Sequence, residues 1–117
     1  MYYISTFKKE NKYKNKKYKA GDIEFDSQKE ASRYFELKLL ERGGIISNLD
    51  RQVPFVLIEK SKYGREVKYV ADFVYIDNEK GIKVVEDVKS SFTAQLPLYR
   101  LKKRLLAEKY DIVIREV

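Results

Sequence analysis

Val67–Ile76 (VKYVADFVYI) restricts the fold more than any other stretch. Its β-branched and aromatic side chains predict a strand. Asn78-Glu79-Lys80-Gly81 follows with turn chemistry, and Ile82–Lys89 (IKVVEDVK) is a second strand-forming run. So short a connection makes the two strands antiparallel neighbours. A chain containing this hairpin must build a sheet, and two such apolar runs require cover on both faces.

The flanking segments supply the cover. Ser27 with Glu30 three residues on is a capping-box pattern, so a helix begins at Ser27. Ala31, Phe35 and Leu39 recur at four-residue spacing, with Tyr34, Leu37 and Leu40 widening the stripe, and Gly43-Gly44 ends the helix. Ile45–Leu49 leads into a strand over Val53–Glu59, in which Pro54 argues for a sheet edge or a late start. Helical spacing returns between Thr93 and Lys109 through Leu98, Leu101, Leu105 and Leu106, with Pro97 near its start. Ile112-Val113-Ile114 reads as a last short strand, and Gly21-Asp22 as a turn before a short strand at Ile23-Glu24-Phe25. The expected fold is an α/β (α+β) mixed sheet flanked by helices, one domain over residues 20–117, preceded by a basic arm at 1–19.

Two acidic positions do not suit a purely structural hairpin. Asp72 interrupts the first strand, and Glu86-Asp87 interrupts the second. An unpaired buried carboxylate is costly, so each needs a cation or hydrogen bonds. Alternation puts Asp87 and Lys89 on one face and Glu86 on the other. Counting back from the loop brings Asp72 within a few residues of Asp87. Two carboxylates and an ammonium therefore converge. The chain has no histidine and no cysteine, which excludes imidazole bases, thiol nucleophiles and nitrogen or sulfur metal sites. Oxygen ligands alone suit Mg²⁺ or Mn²⁺. On the opposite face, Glu86 is expected to pair with a helix lysine.

Charge points to a partner. The net charge is +7, and residues 1–20 hold seven lysines against one acid, Glu10. A basic segment on a near-neutral body is the footprint of a polyanion, nucleic acid before anionic membrane; a solubility tail is the alternative. Lys12, Lys14, Lys16 and Lys17 are the arm's candidate phosphate contacts, and Arg100 and Lys103 belong to a possible phosphate track on the last helix. Tyr13 and Tyr18 are placed to stack on bases or to pack. No apolar run is long enough for a membrane span and no signal-peptide core follows Met1, so an intracellular, cytoplasmic protein is expected.

Asp72 followed by Glu86-Asp87-Val88-Lys89, on an αβββαβ order, resembles the PD-(D/E)xK nuclease superfamily with its restriction-endonuclease-like core. Lys12-Tyr13 through Lys17, Ile23–Ser27, Lys29-Glu30-Ala31, Gln52, Tyr69–Phe73 and Tyr99–Lys102 extend the likeness to small phage-associated endonucleases related to Holliday-junction resolvases. The resemblance implies that Asp72 and Asp87 are metal ligands, that Glu30 completes the metal shell, and that Lys89 is the catalytic lysine. Ala71 stands where the signature has proline. It also implies a Mg²⁺-dependent DNA endonuclease, in phage or bacterial host, acting on branched DNA as a homodimer. Two alternatives stay open: a nicking or restriction-like nuclease on other DNA, and a non-catalytic DNA-binding module with structural carboxylates.

Overall fold

A computed structural model describes residues 17–117 of the chain. The basic-arm residues Lys12, Tyr13, Lys14 and Lys16 lie outside the described residues. The contacts divide the chain into two units, with the boundary inside a helix after Ser32.

In the N-terminal unit, β1 (Tyr18–Ala20) and β2 (Ile23–Phe25) form an antiparallel hairpin, with Tyr18 opposite Phe25 and Ala20 opposite Ile23. Gly21 makes the turn at φ +63°, a conformation that side chains with a Cβ seldom adopt. Lys17 forms an exposed ion pair with Asp26 at 3.1 Å, which raises the lysine pKa. The arm boundary expected after Lys19 thus falls within β1.

Helix α1 (Gln28–Arg42) begins where the sequence indicates: the Glu30 N–H donates to Ser27 Oγ at 3.1 Å. It ends in a Schellman arrangement. Ile45 N–H donates to the Leu40 carbonyl at 2.9 Å and Gly44 N–H to the Glu41 carbonyl at 3.0 Å, with Gly44 at φ +80°. The buried stripe differs from expectation. Leu37 is fully buried and Tyr34 and Leu40 half-buried, whereas Phe35 and Leu39 are exposed. Six apolar residues within ten positions permit two overlapping stripes, and the sheet covers only one.

Four strands form the sheet in the order β3-β4-β5-β6: β3 (Ile46–Ile58), β4 (Val67–Asp77), β5 (Ile82–Asp87) and β6 (Arg115–Glu116). β3, β4 and β5 are antiparallel; β6 is parallel to β5. Pro54 stands in the edge strand β3, where a missing N–H is tolerated. The loop after β4 is an Asx turn, with the Glu79 and Lys80 N–H groups both donating to Asp77 Oδ1.

Helix α2 (Pro97–Tyr110) starts later than the spacing suggests, after a separate 3₁₀ turn at Thr93–Gln95. Leu96 is extended at φ −64°, ψ 135°, because the ring of Pro97 bars it from the helical region. Pro97 then takes the first helical position, where no N–H is needed. At the far end Asp111 turns left-handed at φ 59°, and Ile112–Ile114 bridge back to the sheet, with Ile114 buried. Strand pairing therefore begins at Arg115 rather than at Ile112.

The sheet is covered on both faces. Leu106 of α2 packs with Phe55, Leu57, Tyr69, Ala71, Val74, Val85 and Ile114. Leu37 of α1 packs with Ile46, Phe73, Tyr75 and Val84. Mixed α and β structure in the αβββαβ order is thus observed as read from the sequence. Among the described residues no helix is long and apolar enough to cross a membrane.

Candidate active site

The β4–β5 register sets the geometry. Phe73 pairs with Glu86 and Val74 with Val85, so the next step along each strand puts Asp72 beside Asp87. Strand alternation gives Val84 and Glu86 to the α1 face, and Val85 and Asp87 to the α2 face. The alternation in β4 slips at Asp72. Tyr69 and Ala71 pack on the α2 side, but Phe73 and Tyr75, of the same parity, pack on the α1 side. Opposite the slip, Gln52 of β3 has φ +53°, a left-handed conformation that costs a glutamine roughly 1–3 kcal/mol. Its Nε2 lies 3.5 Å from Asp72 Oδ1.

Asp72 is half-buried, and its Oδ2 accepts the Val88 N–H at 2.9 Å, which straps it to the end of β5. Asp87 is buried, and its Oδ2 lies 3.2 Å from Lys89 Nζ yet accepts no hydrogen bond. Lys89 is half-buried, its ammonium 4.7 Å from the centre of the Tyr99 ring. The main chain here is clamped by the C-terminus: Val117 N–H donates to the Asp87 carbonyl at 3.0 Å, and Lys89 N–H to the Val117 carbonyl at 3.1 Å. The parallel pairing with β6 therefore fixes the backbone that carries both Asp87 and Lys89.

Two phenols border the cluster. The Tyr69 hydroxyl is buried without a hydrogen bond of regular geometry; burial, then the charge of Asp87, push its pKa far above the tyrosine range. Tyr99 donates to Glu116 Oε2 at 2.6 Å, and Lys103 Nζ reaches the same oxygen at 2.9 Å. Those two bonds, the Tyr99 bond foremost, hold the Glu116 carboxyl below its usual range. Burial, then the Glu116 bond, raise the Tyr99 phenol. Gln52, Tyr69 and Tyr99 lie in stretches that carry the family resemblance, which assigns them no role, and Glu116 has no sequence signal at all; their placement at the cluster depends on the pairing of β3 and on the packing of α2.

Glu86 is on the other face, as strand parity requires, and it is fully buried. Its partner is an arginine of α1, not a lysine. Arg33 Nε donates to Oε1 at 2.6 Å and Nη2 to Oε2 at 2.8 Å, and Tyr75 Oη donates to Oε2 at 2.5 Å. The planar guanidinium fork lets a single side chain donate to both oxygens of the buried carboxylate. Burial, then the Glu86 bond, push the Tyr75 phenol up to about 12. A phenol whose folded pKa is raised contributes stability that is complete below about pH 10 and lost as pH climbs towards about 12. Tyr75→Phe is therefore expected to flatten the decline in stability across that window relative to wild type, as measured by urea unfolding at a series of pH values.

Glu30 stands in the first turn of α1, on the N-terminal unit, and is buried. Among the described residues no three acidic side chains gather into a ready-made metal cage. Arg100 and Lys103 meet Arg104 on the rim of a hollow of about 260 Å³ lined also by Ala107 and Ile112–Ile114.

The fold and cluster define an α/β domain with two carboxylates and a lysine where β4 and β5 meet the C-terminal strand. The chain belongs to the family described as "Protein of unknown function (DUF1064)", which it matches over residues 10–116. No curated protein and no solved structure matches it.

Proposed function

We propose that the protein is a metal-dependent DNA endonuclease that hydrolyses phosphodiester bonds, with branched DNA such as four-way junctions as its substrate. The observation that carries this reading is the juxtaposition of Asp72 with the buried Asp87, whose Oδ2 lies 3.2 Å from Lys89 Nζ. A buried carboxylate whose one cationic neighbour, Lys89, lies off hydrogen-bond geometry can also take a metal ion, and an all-oxygen donor set suits Mg²⁺ or Mn²⁺. Such an ion is commonly held by one or two carboxylates, with waters and phosphate oxygens completing the shell, which fits two strand acids and no protein cage. When bound, it supplies Lewis acidity at the phosphate. Asp72 and Asp87 would hold it, with Glu30 as the further acid that the resemblance implies.

Lys89 places a fixed positive charge beside Asp87, suited to the negative charge that develops on the phosphate. The arm lysines with Arg100 and Lys103 would neutralise flanking phosphates. A four-way junction has near two-fold symmetry and requires two incisions, so a homodimer would supply the pair of sites. Cleavage of labelled junction and linear duplex, with and without Mg²⁺, tests the reading. Mg²⁺-dependent incision of the junction is expected, and no incision of either DNA with any divalent cation would refute it.

A second reading is a DNA-binding module whose carboxylates brace the strand pair. The Asp72 bond to the Val88 N–H and the Asp87–Lys89 ion pair favour it. Under that reading the same experiment gives binding without cleavage.

Lys89→Ala separates a transition-state role from simple binding. The variant should lose about a hundredfold or more in single-turnover rate at saturating enzyme, with its Mn²⁺ affinity little changed. Recovery of the full rate at high enzyme concentration would confine Lys89 to DNA binding.

A further inference from the structure

The segment after Lys89 presents apolar side chains to solvent in an ordered way. Ser90 and Thr93 cap one another. Ser90 N–H donates to Thr93 Oγ1 at 2.9 Å, Thr93 N–H to Ser90 Oγ at 3.1 Å, and Thr93 Oγ1 to the Ser90 carbonyl at 3.1 Å. Ala94 N–H closes the turn on the same carbonyl at 3.0 Å, and Gln95 N–H donates to the Phe92 carbonyl at 3.1 Å. Phe92 sits within this reciprocal cap with 73% of its surface exposed. Leu96, Leu98 and Leu101 are exposed as well, the last two one helical turn apart on α2. Four large apolar residues are thus exposed within ten positions, and the turn that carries Phe92 is held by its own hydrogen bonds.

Charge selects the occupant. Helix α2 carries five cations; Lys103 pairs with Glu116, Arg104 with Glu108 and Lys109 with Glu59, while Arg100 and Lys102 make no ion pair among the described residues, so the helix keeps an excess of positive charge. Two copies meeting through this face would bring like charges together, whereas a nucleic acid offers phosphates to the cations. Apolar and aromatic side chains find a partner on nucleic acid where a base face is open. In continuous duplex those faces are stacked on one another; at branch points and in single strands they are free.

We propose that Phe92, with Leu96, Leu98 and Leu101, is a base-stacking face that makes the chain prefer branched or single-stranded regions over continuous duplex. This rests on the nuclease reading and specifies how that site selects its substrate. Because Phe92 starts its turn three residues beyond Lys89, stacking there would hold an unpaired base close to the phosphate to be cut.

The test is binding, without added metal, of a fluorescent four-way junction and of a linear duplex of the same arm sequence. Phe92→Ala/Leu96→Ala should weaken junction binding about tenfold or more and duplex binding less than about twofold, while Phe92→Trp retains the preference. Both positions are exposed, so thermal melting should be unchanged. Variants that bind both DNAs as wild type does, or that lose both equally, overturn the proposal. So does a loss that follows dissociation of a dimer in sedimentation, which would assign the face to a second copy of the chain. Wild-type protein that binds neither DNA overturns the nuclease reading, and this inference with it.

Discussion

Asp87→Asn is expected to lower junction cleavage by about a thousandfold or more, equivalent to about 4 kcal/mol of barrier, while the protein stays folded and DNA-bound. The substitution keeps the shape of a buried side chain and removes its charge. Lys89 retains part of its solvent contact and its place over the Tyr99 ring, so losing the ion pair leaves no buried cation uncompensated. What disappears is the negative charge that would hold a divalent cation at the end of β5. Asp72→Asn should behave alike, since an asparagine carbonyl can still accept the Val88 N–H that Asp72 accepts at 2.9 Å. Glu30→Gln should be similar or milder. Glu86→Gln should be mildest in catalysis, because Glu86 faces α1 and is already saturated by Arg33 and Tyr75. The measurement is single-turnover cleavage with parallel DNA binding and circular dichroism. Full activity in either aspartate variant would remove the assignment.

The approach of Asp72 to Asp87 is legible in the sequence because two rules fix it without tertiary information. A short loop sets the register of a hairpin, and alternation sets which side chains share a face. The same parity places Glu86 on the far side. It does not reveal which helix residue meets it, because Lys29, Arg33 and Lys38 all precede it on α1 and choosing among them needs the helix position over the sheet. Phe35 and Leu39 fail for a related reason. A helix apolar on more than one side does not say which side the sheet covers. Gln52 is marked by the family resemblance, but its left-handed backbone and its position facing Asp72 exist only once β3 and β4 are paired. The late start of α2 does have a local signal, since Leu96 precedes a proline and is thereby biased to extended backbone. The arm's charge is plain from the sequence, but charge specifies a polyanion and not a fold.

Arg33→Met should destabilise the protein more than either aspartate substitution, lowering stability by about 3–5 kcal/mol. Glu86 is fully buried in the sheet, and Arg33 supplies two of the three hydrogen bonds made to it, at 2.6 and 2.8 Å. Burial alone would tend to discharge the guanidinium, yet the bond to Glu86 outweighs it and raises the Arg33 pKa. Removing the arginine leaves a carboxylate in the core with, among the described residues, the Tyr75 hydroxyl as its one remaining side-chain hydrogen-bond donor. Methionine fills much of the same volume, so the loss reports the uncompensated charge more than a cavity. For a chain of this length the fall corresponds to a melting temperature lower by roughly 10–20 °C. A companion variant separates charge from packing. Arg33→Met/Glu86→Leu/Tyr75→Phe removes the whole polar network and should recover most of the loss, because apolar groups of similar size can replace a buried ion pair at little cost. If the triple variant is no more stable than Arg33→Met, the buried charge is not the cause. The loss would then belong to the packing of the arginine stem between α1 and the sheet.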